Sequence, residues 1–181
     1  LIIRSFLPLK KIYNKELSQD EALNKLQINK PKLLLLFFGL IRDYKRLDIV
    51  IKAINQIKKY DIKLLIAGKC YRKKNTYVKL INKYKLQDKV IWHDKYIPDS
   101  QISLYFSAVD AVVLSHENIS QSGIVPLAYH FNKLIIASNI DSFRKDVVNR
   151  ETGYFFKKND TSSLSEIIIN IYKKHDFLLS E

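Results

Sequence analysis

The sequence lacks several features that would place it in a special class of protein. Its single cysteine, Cys70, cannot form an internal disulfide, and no cysteine cluster suggests structural zinc, which fits a reducing cytoplasm. The longest apolar run, residues 33–40, falls short of the ~20 residues that a membrane helix needs. Methionine is absent, and residues 1–9 lack the basic start and long apolar core of a signal peptide. We therefore expect a fragment of a longer, cytoplasmic protein.

Acidic side chains are also scarce. Eighteen Asp and Glu residues face 31 Lys and Arg residues, so the formal net charge is +13. This excess favours polyanions such as nucleic acid, anionic lipid or phosphorylated ligands, although lysines on solvated helix surfaces would give the same composition. No zinc-finger, RNP-like or basic-region pattern is present, so we expect no specific nucleic-acid partner. Peripheral contact with the inner face of an anionic membrane stays open.

Short apolar segments alternate about six times with segments of helical periodicity. The predicted strands are residues 32–38, 62–67, 90–92, 110–114, 134–137 and 153–156. The predicted helices begin with a capping box at Ser18–Glu21 and continue with residues 46–59, 77–84, 100–108, 121–131, 141–148 and 162–174. This order predicts an α/β fold, a Rossmann-like doubly wound parallel sheet with helices on both faces. Residues 1–17 are predicted to be a linker or a returning edge segment, and residues 18–181 a single domain.

The loop after the first predicted strand carries two cations. Ligands bind at the carboxyl ends of the strands in such a sheet, so the loops after residues 38, 67, 92, 114 and 137 should share one edge. Gly39 permits a turn, and Arg42 and Lys45 follow just before a helix. Together they would neutralise a diphosphate, Arg42 through a bidentate fork and Lys45 as a point charge. Equally, both could be solvated surface charges.

The loop after the strand at residues 110–114 ends in a turn of small residues. Ser120, Gln121, Ser122 and Gly123 stand immediately before a predicted helix. The first turn of a helix has unpaired N–H groups and a partial positive charge, which suits a phosphate. Ser122 and Gly123 are small enough to let an anion reach the backbone. The same residues would also serve as an ordinary helix cap.

Several segments resemble family 4 of the retaining glycosyltransferases. Residues 37–48, FFGLIRDYKRLD, are similar to the family segment FFGxIRxYKGLD. Further similar segments follow in the same order at residues 64–68, 96–114, 120–129, 133–138 and 152–156. Together they cover roughly residues 30–175. The chain thus resembles the C-terminal, nucleotide-sugar-binding half of a two-domain GT-B enzyme.

The resemblance implies roles for these loops. Arg42 and Lys45, with Gly39, would hold the donor diphosphate and stabilise charge on the leaving group. Residues 120–123 would bind the distal phosphate through backbone donors. The turn expected near the nucleobase consists of Lys95, Tyr96 and Ile97. No metal and no cofactor are expected, because cations and a helix end supply the positive charge.

The sugar and ribose contacts are less well defined by the resemblance. His116 and Glu117 are candidates for contact with the sugar. Many family members carry two glutamates eight residues apart, one near the sugar and one on the ribose, and we place these at Ile119 and Leu127, where neither residue is acidic. Arg46 stands where the family usually has glycine.

The expected function is that of a glycosyltransferase donor-binding domain. The whole enzyme would transfer a hexose, with retention, from a nucleoside diphosphate sugar to a glycan or lipid-linked acceptor. The acceptor half would be a missing N-terminal domain or a partner chain, so this chain alone should be an incomplete catalytic unit. The alternative is a non-catalytic nucleotide-sugar-binding module that acts through a partner. The missing acids favour the alternative, whereas the Arg42–Lys45 pair argues against decay of the site.

Overall fold

A computed structural model of the protein describes residues 17–178, with side chains up to residue 174. The predicted linker, residues 1–17, therefore lies almost entirely outside the described residues. The strands are β1 (Leu33–Phe38), β2 (Ile62–Ala67), β3 (Val90–His93), β4 (Ala111–Leu114), β5 (Leu134–Ser138) and β6 (Gly153–Phe156). The α-helices are α1 (Gln19–Leu26), α2 (Leu47–Gln56), α3 (Lys74–Lys83), α4 (Asp99–Ala108), α5 (Ile124–His130), α6 (Asp141–Arg144) and α7 (Thr161–Leu178). A 3-10 turn, Asp43–Lys45, precedes α2.

The six strands form one parallel sheet in the order β3-β2-β1-β4-β5-β6. Strand β1 is central and pairs with β2 on one side and β4 on the other, so the order reverses between β1 and β4. This arrangement confirms the predicted Rossmann-like sheet of six strands. The crevice at such a reversal, outside the carboxyl ends of the strands, is where open α/β sheets bind ligands.

Side chains of β1 alternate between two core layers, because successive residues of a strand point to opposite faces. Leu35 and Phe37 belong to the cluster that contains Val50 of α2 and Ile168 of α7. Leu34, Leu36 and Phe38 belong to the other cluster, with α1, α4 and α5. All six β1 residues are buried, which explains the continuous apolar run in the sequence. Helices therefore cover both faces, as predicted.

Most predicted elements are confirmed, and their ends shift by a few residues. The capping box of α1 is present: Glu21 N–H donates to the Ser18 hydroxyl at 3.2 Å, and Ser18 N–H donates to the Glu21 carboxylate at 2.9 Å. The helix predicted at residues 141–148 ends already at Arg144. Helix α5 begins at Ile124 and not at residue 121, and the Ser122 hydroxyl accepts the Ile124 N–H at 3.3 Å. The residues before Ile124 are therefore left as an open loop. None of the described helices is long and apolar enough to cross a bilayer.

Candidate functional site at the carboxyl edge of the sheet

Two glycines shape the ends of β1 and β2. Gly39 has φ +86°, a conformation that residues with a side chain rarely adopt, and its N–H donates to the Ala67 carbonyl at 2.9 Å. Gly68 passes so close that a Cβ there would collide with the carbonyl oxygen of Gly39. The two strand ends therefore lie tightly together, and the missing side chain of residue 39 leaves room for the side chains of neighbouring residues beside its backbone.

Lys45 lies beside Gly39 and is buried, with 8% of its surface exposed. Its ammonium donates to the Phe38 carbonyl at 3.1 Å, and Nζ is 3.1 Å from the position that a Cβ of Gly39 would occupy. Burial, and to a lesser extent the charge of Arg42, lowers the pKa of Lys45 to about 8. Lys45 is therefore not a solvated surface charge.

Arg42, the other predicted cation, is exposed just before the 3-10 turn. Within the part of the chain that the structure describes, its guanidinium makes no hydrogen bond and no ion pair. It lies near enough to Lys45 to lower the pKa of that amine. The structure thus brings the two predicted cations near each other, with Lys45 buried and Arg42 exposed.

Hydrogen bonds join the loop after β4 to the loop after β1. The Ser115 hydroxyl donates to the Lys45 carbonyl at 2.5 Å, and the Glu117 N–H donates to the Tyr44 carbonyl at 2.7 Å. On the other side, the Ser138 hydroxyl at the end of β5 donates to the His116 carbonyl at 2.6 Å. Residues 115–117 are therefore held from both sides, and they fix the turn that carries Lys45. The sequence analysis did not identify the role of Ser115.

His116, a predicted sugar contact, is buried with 2% of its surface exposed. Its ring lies 5.6 Å from Tyr44 and 5.3 Å from Phe143, measured between centroids, and its Nδ1 has no hydrogen-bond partner in the described chain. Burial, followed by the charge of Lys45, lowers the pKa of His116 to about 3, so the ring is neutral at neutral pH. The imidazole thus sits behind the Lys45 turn, and direct contact with a sugar stays a prediction.

Glu117, the other predicted sugar contact, belongs to a polar cluster with Arg46 and Asn159. The Asn159 amide donates to the Glu117 carboxylate at 3.3 Å, and Arg46 donates to the Asn159 amide oxygen at 2.6 Å, with Glu117 3.8 Å away. Arg46 also forms a fork on Asp48, at 3.0 and 3.2 Å. Its φ of +52° explains why glycine suits this position. The arginine side chain links the loops that follow β1, β4 and β6.

The predicted phosphate loop borders the same volume. Ser120, Gln121 and Gly123 are exposed, and no atom lies within 4 Å of the position that a Cβ of Gly123 would occupy. In the described chain the N–H groups of Ser122 and Gly123 have no hydrogen-bond partner. The side chain of Ile124 comes within 4.0 Å of the Cβ position of Gly39. The helix that follows the open loop therefore begins next to Gly39, and binding of a phosphate by residues 120–123 stays a prediction.

A cavity of about 180 Å³ opens beside these loops. Its lining consists of Phe38, Gly39, Leu40, Gly68, Lys69, Tyr96, Ile97, Asp99 and Ile102. Tyr96 and Ile97, two of the three residues predicted near the nucleobase, are thus in the lining, whereas the exposed Lys95 is not. Leu40, Lys69 and Asp99 were missed, although the expectation that strand ends share one edge points to the loop after β2.

The two positions where acids were expected lie in the core. Leu127 is buried with 8% of its surface exposed, and Ile119 is half-buried against the same cluster. A carboxylate at either position would lose its hydration. Neither residue belongs to the cavity lining, and the groups that would bind the ribose and the sugar stay unassigned.

Solved structures of glycosyltransferases share this fold. Sucrose-phosphate synthase from Thermosynechococcus elongatus matches with a TM-score of 0.80 and 20% identity, over 92% of this chain and 42% of that one. The C-terminal domain of the glycosyl transferase group 1 family protein LpcC from Francisella tularensis matches with a TM-score of 0.77 and 20% identity, over 97% and 89%. HepE from Anabaena in complex with UDP-glucose gives 0.75 and 16%, over 87% and 43%. The chain thus spans less than half of two of these proteins.

Sequence comparison gives the family. No curated protein sequence matches this chain at a significant level. The family model for glycosyl transferases group 1, in contrast, matches residues 18–178, which include the sheet, both of its flanking helix layers and all the loops of the candidate site. This chain therefore belongs to the group 1 glycosyl transferases.

Proposed function

We propose that this domain binds a nucleoside diphosphate sugar and forms the donor half of a retaining GT-B hexosyltransferase of family 4. The observation that carries the proposal is the buried ammonium of Lys45, which lies beside Gly39 at the carboxyl end of β1. A buried charge with one neutral partner is costly unless an anion joins it. Support also comes from HepE, a protein of the same fold whose structures contain UDP or UDP-glucose.

In this proposal the diphosphate lies against the end of β1, next to the Lys45 ammonium, which occupies the space that a side chain at Gly39 would need. Lys45 holds it from the inside, and Arg42 closes on it from solvent with two parallel hydrogen bonds. The unpartnered N–H groups of Ser122 and Gly123 bind the distal phosphate. Tyr96 and Ile97 line the cavity in which the nucleobase rests.

The same groups supply the chemistry. As the bond from sugar to phosphate breaks, negative charge grows on the departing diphosphate and positive charge on the sugar. Lys45, Arg42 and the loop before α5 stabilise the negative charge in place, because preorganised donors need no reorientation during the reaction. We propose that this positive charge makes a metal ion and any further cofactor unnecessary.

In this proposal the isolated chain contains the donor half of the enzyme and not the acceptor half. We propose that an N-terminal domain or a partner chain supplies a glycan or lipid-linked acceptor in the cytoplasm, at the inner face of the membrane. The isolated chain should then bind the donor but transfer sugar poorly. The alternative, a non-catalytic nucleotide-sugar-binding module, is favoured by the pairing of Glu117 with Arg46 and Asn159, which occupies the nearest carboxylate.

Calorimetry with the full chain tests the proposal. UDP, GDP and ADP, each with and without its sugar, are titrated in the presence of excess EDTA. Arg42→Ala should weaken binding of the preferred nucleotide by roughly 10-fold, the effect of losing a charged hydrogen bond. Lys173→Ala, a change of an exposed cation on α7, is the matched control and should bind like the parent. Binding that needs a metal, or that is unchanged in Arg42→Ala, would reject the proposed site.

A further inference from the structure

The positive charge of the chain is concentrated in one part of the fold. Residues 52–95 contain 13 Lys and Arg against 3 Asp and Glu, a net charge of +10, whereas residues 96–181 contain 8 against 10, a net charge of −2. The basic part comprises β2, β3, α3 and the second half of α2, which form the β3 end of the sheet. The asymmetry is therefore spatial, and it separates one flank of the domain from the other.

Ion pairs neutralise four of the cations of this flank, one of which is Lys52, paired with Asp48 at 3.2 Å. Lys73 pairs with Asp43 at 2.7 Å, and Asp94 takes both Lys74, at 2.7 Å, and Lys69, at 3.6 Å. Apart from Lys95, which lies in the turn predicted near the nucleobase, six exposed cations of this flank have no carboxylate within salt-bridge distance in the described chain. These six, called the basic face below, are Lys58, Lys59, Arg72, Lys79, Lys83 and Lys85.

The topology brings most of the basic face together. Helices α2 and α3 pack side by side on the same face of the sheet, and each runs back from a parallel strand. Their C-terminal ends therefore lie at the same edge, which places Lys58 and Lys59 beside Lys83 and Lys85. Lys79 lies one turn before Lys83 on the exposed side of α3.

We propose that the basic face is a docking surface for an anionic membrane. Lys and Arg near an anionic bilayer each contribute about 1 kcal/mol of attraction, so six of them can hold a domain on it. The exposed ring of Tyr71, beside Arg72, is the kind of side chain that rests at the level of lipid headgroups. Two features disfavour nucleic acid as the ligand. Five of the six cations are lysines, whereas arginine is the residue preferred for nucleic-acid recognition. The surface is also the outer side of two helices and not a groove in which bases could stack.

Docking through this surface would leave the candidate donor site accessible. Lys58, Lys59, Lys83 and Lys85 lie at the opposite edge of the sheet from Lys45 and the cavity. Arg72, in the loop after β2, lies at the carboxyl edge but is not part of the cavity lining. The membrane surface and the donor site share none of their residues. The membrane surface deepens the proposed location of the acceptor at the membrane but does not depend on donor binding, so either can fail without the other.

The test is cosedimentation of the full chain with vesicles of phosphatidylcholine alone and of phosphatidylcholine with about one third phosphatidylglycerol. The triple variant Lys58→Gln, Lys79→Gln, Lys83→Gln removes half of the basic face. Its partition onto anionic vesicles should fall by about 100-fold, since three charges are lost. The control triple Lys145→Gln, Lys157→Gln, Lys158→Gln removes the same charge from the opposite flank and should change partition less than about threefold.

The outcomes separate the membrane from other polyanions. Binding to anionic vesicles that high salt and the first triple abolish, with UDP affinity unchanged in both triples, supports the proposal. Equal losses in the two triples would show attraction by net charge alone and would overturn it. No binding to anionic vesicles, or tighter binding to a mixed-sequence single-stranded RNA that the first triple abolishes, would also overturn it, the latter in favour of nucleic acid.

Discussion

The loops on either side of the strand-order reversal are built in opposite ways. The loop after β1 is closed: Gly39 takes a conformation that suits only glycine, and Lys45 is buried against the Phe38 carbonyl. The loop after β4 is fixed only at its start, through residues 115–117, and then opens into exposed residues before α5. The difference indicates two roles in binding an anionic ligand. The first loop fixes a cation in place, and the second loop leaves backbone N–H groups free to donate to the ligand.

The hydrogen-bonding capacity of Lys45 gives this division a physical basis. An ammonium has three donors. In the described chain Nζ makes one hydrogen bond, to the Phe38 carbonyl, while burial removes most of the water that would serve the other two. A buried ammonium with two unused donors is unfavourable, and the same loss of hydration lowers the pKa of Lys45. An anion between the two loops would use the remaining donors.

The largest expected effect comes from Lys45→Met, which keeps the apolar stem and removes the charge. UDP affinity should fall by roughly 10- to 100-fold, the effect of losing a charged hydrogen bond of about 1.5–3 kcal/mol. The free energy of unfolding should stay equal or rise, because a desolvated charge is removed. Calorimetry with UDP and urea denaturation measure the two quantities. Lys173→Met, at an exposed site, should leave both unchanged.

A loss of stability in Lys45→Met would contradict the role of the first loop in binding an anion. It would mean that the ammonium serves the fold, by holding the end of β1, and not a ligand. Unchanged UDP affinity would have the same consequence for the first loop. Only the combination of weaker binding with retained stability is expected of a cation that the fold holds ready for an anion.

A pair of glycine substitutions sharpens the comparison at the level of the backbone. Gly39→Ala should lower the free energy of unfolding by about 1–2 kcal/mol, because alanine is strained at φ +86°. Gly123→Ala should leave it unchanged or raise it by up to about 1 kcal/mol, since φ is −67° and the Cβ meets nothing within 4 Å. Urea denaturation of both variants measures the difference. Equal losses would show that the two loops are equally constrained.

The sequence was sufficient for the fold because its apolar pattern is unambiguous. Six buried runs separated by helical periodicity allow few arrangements other than a doubly wound sheet, and strands such as Ile62–Ala67 and Gly153–Phe156 have the predicted bounds. Helix starts were less predictable where polar residues form the first turn. Helix α3 begins at Lys74, three residues before the first apolar residue that marks it.

The site was predictable in position but not in detail. Topology alone placed Gly39, Lys45 and Ser122 at one edge of the sheet. The burial of Lys45 depends on Ser115 and Gly68, which lie far away in the sequence, and no local pattern reports it. The placement of acids at Ile119 and Leu127 rested on spacing alone, and the structure shows both side chains packed against the core.

The smallest expected effect is a dependence of UDP affinity and of stability on pH, which comes from the titration of Lys45. Burial lowers the pKa of Lys45 to about 8 in the free domain, and a bound diphosphate should raise it again. UDP affinity should therefore fall about 10-fold from about pH 7 to about pH 9, as the ammonium is lost before binding. The effect on stability has the opposite sign. Lys45 has its ordinary pKa of 10.5 in the unfolded chain, so between about pH 8 and pH 10.5 the unfolded chain binds more protons than the folded one. The contribution of Lys45 to the free energy of unfolding therefore rises with pH in this window. Lys45→Met should abolish both trends, whereas parallel slopes in parent and variant would assign them to other groups.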